Sequence, residues 1–388
     1  MASYEAIFDM GVDRRGTQSD KWSEHKSLTA REDVLPMGVA DMDIPSPAEV
    51  TEALIKRARH PMYGYTHETE ADYQAVIDWQ ARRHGLAMAR EWILWSPGVV
   101  DSMSACIYAL TEPGDQVLIM TPVYGAFMAS PPTAGRELVS CPLICDEAGY
   151  RMDYEAIERA FAGGVKLMLL CSPHNPVGRV WREDELTRLV YLADSFDVTV
   201  VSDEIHADIV MEGFTHHPIL KFGNIKNRVM LISATKTFNL AGLQHSSLIA
   251  PGEDIRERLA QVIRRYGFHG GGGIFGMTAQ RAAYERGEEW LNALLQYIKG
   301  NRDLVLDELQ TMPLVCAAEL QGTYLMWLDM SALNMTSKEL AIYCADKLGL
   351  MLGVGWFGER DGSHARMNIA CPRATVREAM ARLRRGVT

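Results

Sequence analysis

A basic excess is missing from this sequence: 39 lysines and arginines stand against 50 aspartates and glutamates, a formal charge of −11. A phosphate backbone needs a basic footprint, so no nucleic-acid partner is expected, and an anionic membrane surface is disfavoured for the same reason. A cysteine framework is missing too. The seven cysteines are scattered; Cys141 and Cys145 are the nearest pair and have no second pair to match them. Neither a disulfide scaffold nor a metal site is expected from such spacing, and scattered thiols fit a reducing compartment. Long apolar runs are also lacking. Residues 117–135 carry no charge, but Pro122, Gly125, Pro131 and Pro132 interrupt them, which argues against a membrane-spanning helix. The opening MASYEAIFDMGVDRR has early acidic residues and no apolar segment, so no secretory signal is expected and the cytoplasm is the expected location.

What is present is the composition of a globular enzyme-sized chain: 388 residues, 47% hydrophobic and 23% charged. That length suggests two domains. Short apolar runs alternate with helical periodicity through the middle of the chain. Val117 to Met120, Val165 to Leu170, Val198 to Val201 and Val229 to Ile232 each read as a strand apolar on both faces. Between two of them Leu186, Leu189, Val190, Ala193 and Phe196 recur at helical spacing. This alternation predicts an α/β fold with a mostly parallel central sheet covered by helices. The last hundred residues differ, with a long amphipathic helix through Leu291 and Leu309, a strand over Thr323 to Met330 and a closing helix through Val376 and Leu383. We therefore expect a large domain over 51–289 and a smaller α+β domain over 290–388, with residues 1–50 packing against the latter.

In such sheets the polar residues just after the strands form the site. Three strand ends here carry an unusual set: Ser172-Pro173-His174-Asn175-Pro176, Ser202-Asp203-Glu204-Ile205-His206, and Ser233-Ala234-Thr235-Lys236. Together they fit a pyridoxal 5'-phosphate (PLP) site, which needs an amine, an anion for the ring nitrogen, a neutral donor to the phenolic oxygen, an aromatic face and donors around a phosphate. Lys236 supplies the amine, Asp203 the anion and Asn175 the amide donor, while Tyr124 can stack on the ring. Lys236, Asp203 and Tyr124 are thus the catalytic candidates. Ser233 and Thr235 offer hydroxyls to the phosphate, and Val99 and Val100, after Ser96-Pro97-Gly98, offer N–H groups at the start of a helix. Taken singly, a strand-end aspartate is a turn former or cap, Asn-Pro is a turn, and a tyrosine belongs to a core. Order and spacing carry the weight: Asp203 lies 28 residues after Asn175, and Lys236 lies 33 after that.

With those residues in place, the sequence resembles the fold-type I, class I/II aminotransferase superfamily, and within it the MalY/PatB-like cystathionine β-lyase (C–S lyase) branch. The likeness runs from Asp13-Arg14-Arg15-Gly16-Thr17 and Lys21-Trp22 through Val39-Ala40-Asp41-Met42-Asp43 and Tyr63-Gly64-Tyr65-Thr66. It closes at Tyr324 to Asp329 and Arg366 to Arg373. The resemblance implies PLP held by Lys236, a C–S β-lyase acting on an amino-acid substrate such as cystathionine, and a homodimer with shared active sites. It implies that Tyr65 reaches the neighbouring subunit's cofactor phosphate, that Arg366 pairs with the substrate carboxylate, and that His206 supports Asp203. An aminotransferase, a specialised biosynthetic enzyme or a regulator of the same fold are the alternatives. Gln244 stands where many aminotransferases place a basic phosphate anchor, which weighs against a plain aminotransferase; two further departures bear on the substrate, Gly38 beside the expected carboxylate site and His269 followed by four glycines.

Overall fold

The computed structural model describes residues 3–267, 273–358 and 363–387. Seven strands build one sheet: β1 (Ile93–Ser96), β2 (Gln116–Thr121), β3 (Glu137–Pro142), β4 (Leu167–Cys171), β5 (Thr199–Asp203), β6 (Arg228–Ile232) and β7 (Ser246–Ile249). Across the sheet they lie in the order β3-β2-β4-β5-β6-β7-β1. All neighbouring pairs are parallel except the two that involve β7. The sheet is covered on both faces, as the apolar runs predicted. In β4 every residue is buried. Leu167, Leu169 and Cys171 enter the core layer shared with the helices Val99–Leu110 and Glu253–Arg265, while Met168 and Leu170 enter the opposite layer with Trp79 and Leu189. Each such leucine contributes roughly 2 kcal/mol by leaving water.

A second sheet is antiparallel and three-stranded, made from Cys316–Ala317, Leu325–Asp329 and His364–Asn368. The helices Glu288–Leu309 and Arg373–Val387 accompany it. The middle strand is shorter than the expected Thr323 to Met330 because Thr323 has a φ of 71°, which takes it off the ladder. Leu35–Pro36 pairs in parallel with Leu350–Met351, so the N-terminal segment is bound to the C-terminal part of the chain. Pro131 and Pro132 fall in the last turn of a short helix, Gly125–Thr133. Among the described residues no helix is long and apolar enough to cross a membrane.

The element that positions the site has no regular structure. From Gly38 to Ile44 the chain runs as an irregular strap, and side chains donate to its carbonyls at Gly38, Val39, Ala40, Asp41, Met42 and Ile44. Arg366 Nη2 donates to Gly38 O at 2.7 Å. Asn368 Nδ2 donates to Val39 O at 2.8 Å and to Asp41 O at 2.6 Å. Lys21 Nζ also donates to Asp41 O, at 2.9 Å. Asn239 Nδ2 donates to Met42 O and Ile44 O at 3.0 and 2.9 Å, and its Oδ1 accepts from Met42 N at 3.0 Å. Asn239 can do this because it holds a φ of 58°, a left-handed conformation that asparagine tolerates better than most residues. An Asn239→Ala variant leaves two strap groups, Met42 N and Ile44 O, without partners, while Met42 O keeps its bond from Arg14, so its unfolding free energy falls by about 2–3 kcal/mol. A lower urea midpoint at unchanged slope is the expected result, and an unchanged midpoint would show that the strap does not depend on Asn239.

Candidate active site

The C-terminal ends of β4, β5 and β6, together with the turn after β1, open onto one cavity of about 640 Å³. Lys236 enters it from the one-turn helix Ala234–Thr237 that follows β6. Ser233 caps that turn: its Oγ accepts from Thr235 N at 3.1 Å and donates to His245 O at 2.6 Å. Its hydroxyl is therefore engaged in shaping the turn, and it is not among the residues lining the cavity, whereas Thr235 is. Thr237 fixes the turn from behind, donating to buried Asp208 at 2.9 Å. The Lys236 amine donates to Ala40 O at 2.6 Å. Burial, and then the Arg366 charge, lower its pKa to about 8.

Asp203 ends β5 and lines the same cavity. Its carboxylate accepts one backbone hydrogen bond, from Ile205 N at 3.1 Å, and makes no ion pair among the described residues. Burial raises its pKa to about 7. His206 also lines the cavity but makes no hydrogen bond to Asp203; its Nδ1 is buried without a partner, and its ring meets Tyr324 edge-on. Burial, then the charges of Lys236 and Arg366, hold it neutral, with a pKa of about 3.

Arg366 comes from the second sheet, on the strand His364–Asn368. It is 2% exposed, yet no carboxylate pairs with it among the described residues. Nη1 donates to Asn175 Oδ1 at 3.0 Å, Nη2 to Gly38 O, and Nε has no partner. Because a guanidinium only donates, the Asn175 amide must turn its oxygen to Arg366, leaving its NH₂ as a donor. A buried cation facing neutral acceptors is costly until an anion arrives. Gly38 makes the approach possible: a Cβ there would stand 3.1 Å from Gly353 N and Leu352 C, both backbone. The small residue thus reflects backbone packing beneath Arg366.

Tyr124 lines the cavity, and its backbone N–H donates to Asn175 O at 3.1 Å, which couples the two. Val99 and Val100 also line it, at the start of a 12-residue helix capped by Gly98. Gln244 reaches the cavity from a left-handed backbone, φ 48°. Tyr65 is fully exposed and away from this chain's cavity. The His269–Gly273 run lies almost wholly outside the described residues, Gly273 being its one described member. Ala40, Tyr324 and Trp356, which carry no expected role from the sequence, line or flank the site. The signal for the first was the acidic pair Asp41 and Asp43 in an apolar stretch, whose partners are Arg14, Lys21 and Trp22.

The profile of the family described as aminotransferase class I and II matches residues 32–383. The chain belongs to that family. Among this aminotransferase-family protein's relatives, cystathionine beta-lyase PatB of Bacillus subtilis is 38% identical, over 97% of this chain and 98% of its own. Protein MalY of Escherichia coli is 30% identical over 97% of both chains. The crystal structure of cystalysin from Treponema denticola, which contains pyridoxal 5'-phosphate, superposes with a TM-score of 0.94 at 31% identity and covers 98% of both chains. The family's cofactor fits what the cavity lacks. A protonated pyridine nitrogen would give Asp203 its missing cation, and the helix start at Val99 offers N–H groups to a phosphate.

The raised Asp203 pKa has a measurable consequence in the cofactor-free protein. The folded chain keeps a proton that the unfolded chain releases, so this group's stabilisation is complete below about pH 4 and is lost as pH rises toward about 7. Relative to Asp203→Asn, which has no such proton, the wild type loses up to about 1.4 kcal/mol per pH unit across that window. Thermal melts of both proteins between pH 4 and 8 check this; parallel pH dependences would mean that Asp203 is not held neutral.

Proposed function

We propose that the chain is a PLP-dependent carbon–sulfur β-lyase that cleaves L-cystathionine or a related cysteine S-conjugate to a thiol, pyruvate and ammonia. The observation that carries this reading is the buried, anion-less Arg366, set in the same cavity as the Lys236 amine and Asp203. Such a site requires a substrate that brings its own carboxylate and an amine. The choice of elimination rests on the near full-length likeness to PatB and MalY, since the side chains for transamination are the same.

When bound, PLP supplies an electrophilic carbonyl for amines and a ring that accepts electrons from the substrate Cα. The protein's groups do the rest. Arg366 would hold the α-carboxylate, and Asn175, whose oxygen accepts from Arg366, would offer its NH₂ to the phenolic oxygen. Asp203 would keep the ring nitrogen protonated, Tyr124 would pack on the ring, and His206 lines the wall as a neutral ring. Thr235 and the N–H groups at Val99 and Val100 would hold the phosphate. The free Lys236 amine would take the Cα proton. With a pKa of about 8, roughly a tenth of it is neutral at pH 7, against less than about a thousandth for an ordinary lysine. The electron pair left at Cα forms the Cα–Cβ double bond, and the Cβ–S pair leaves with sulfur, which is then protonated. Aminoacrylate is released and water hydrolyses it to pyruvate and ammonia.

In this reading the enzyme is a homodimer in which Tyr65 reaches the partner's phosphate; its full exposure beside exposed Met62 and Tyr63 supports this. Residues 51–289 form the PLP-binding domain, and 290–388 with the first fifty form the smaller one. The free cysteines fit a cytoplasmic location.

Purified protein given L-cystathionine and no keto acid should release pyruvate and a thiol over many turnovers. Lys236→Ala should lose both the visible absorption band and the activity; normal turnover by this variant would sink the assignment. Arg366→Lys keeps the charge but loses the planar fork, and should lower kcat/KM by about 100-fold, roughly 3 kcal/mol. Co-expressing Lys236→Ala and Tyr65→Ala chains tests the shared site. Mixed dimers should recover about a quarter of wild-type activity by random pairing, whereas no recovery would place Tyr65 outside the partner's site.

A further inference from the structure

The Ala40 carbonyl accepts two buried donors at once. Lys236 Nζ lies 2.6 Å from it and the Tyr324 hydroxyl 3.0 Å. A carbonyl oxygen has two lone pairs, so these two donors saturate it. None of the roles above uses Tyr324. It is 1% exposed, at the residue before the strand Leu325–Asp329, with its ring 5.9 Å from that of His206. Burial, then Asp41, push its phenol far above the ordinary value, so it is a neutral donor at any working pH. The carbonyl cannot swing away, because Asn368 holds the carbonyls on either side of it.

We propose that Tyr324 is a positioning residue for Lys236: by sharing the Ala40 carbonyl, it fixes the place where the free amine rests and weakens the acceptor that would otherwise hold the amine's proton. This rests on the reading of Lys236 as the base. The charged groups facing the amine oppose one another. Arg366 disfavours its protonation, Asp41 and Asp203 favour it, and Tyr324 and His206 are neutral. With those fixed, the strength of the carbonyl acceptor is the remaining lever. An ammonium gains more from a good acceptor than a neutral amine does, since its hydrogen bond is charge-assisted. A carbonyl already engaged by a phenol therefore favours the neutral amine, the form that removes a proton from Cα.

The test is Tyr324→Phe in the full-length enzyme, which keeps the ring and removes the hydroxyl. Two pH profiles are compared with wild type. One is the acylation rate of Lys236 by acetic anhydride after the cofactor is stripped, read by mass spectrometry of the Lys236 peptide. The other is kcat of the PLP-loaded enzyme on L-cystathionine, whose acidic limb reports the base in the substrate complex. Both are expected to move to higher pH by about 0.5–1 unit, a 3- to 10-fold smaller neutral fraction at a given pH. The acidic limb of kcat/KM, where the amine is bonded to cofactor, should stay in place. Superimposable profiles for both measurements would overturn the proposal. A damaged fold would lower rates without moving the limbs. A failure of the lyase reading would instead show in the wild type, as PLP binding without pyruvate, and the acylation profile does not depend on it.

Discussion

The site depends on an irregular stretch of backbone being made rigid. The strap from Gly38 to Ile44 belongs to neither sheet, and its carbonyls are buried or half-buried, so one left without a donor costs up to about 1–3 kcal/mol. The donors come from three parts of the chain: Lys21 from the N-terminal segment, Lys236 and Asn239 from the turn after β6, and Arg366 and Asn368 from the second sheet. One constraint thereby ties together the amine and the guanidinium. A shift of the strap would move both partners of any amino acid lying between them. The bidentate bond from Arg14 to Asp41, with Lys21 and Trp22 on Asp43, anchors its far end.

Electrostatics follow from that geometry. Arg366, Asp203 and Lys236 share one cavity, and burial pushes each toward its neutral form, to pKa values of about 10, 7 and 8. Holding three such groups out of water without ion pairs opposes folding. The two core layers of the large sheet and the apolar interior around the second sheet offset it. In the proposed reading this cost serves the function: Arg366 lacks an anion and Asp203 a cation, and a carboxylated amino acid together with a cationic ring would supply them.

Much of this was legible in the sequence. β6 ends with its apolar run at Ile232, whereas β4 runs one residue past Leu170 to Cys171 and β5 two past Val201, through Ser202 to Asp203, because the ladder continues until the chain leaves the sheet. The apolar runs still placed Asn175, Asp203 and Lys236 on one edge, and the resemblance added Arg366. The roles of individual hydroxyls and carbonyls were less legible. Ser233 looks like a phosphate ligand by position, but its Oγ is engaged in capping the turn and in the bond to His245 O. Ala40 has no chemistry in its side chain; only the fold shows that its carbonyl receives Lys236. Gly38 looked like a substrate-side departure, and the structure relates it to the backbone of Leu352 and Gly353.

Gln244 gives the last constraint its meaning. It lines the cavity where a cation would otherwise meet a phosphate, and the cations lining that cavity among the described residues are Lys236 and Arg366. In the proposed reading the first is bonded to the cofactor and the second holds the substrate. In that reading the described groups that would meet a phosphate dianion are neutral donors: the N–H groups at Val99 and Val100, the Thr235 hydroxyl and the Gln244 amide, with Tyr65 of a second chain. Helix N-terminal dipoles can do this without a formal charge. In that reading assembly of two chains would be part of the chemistry, since one donor to the phosphate would stand on the other subunit.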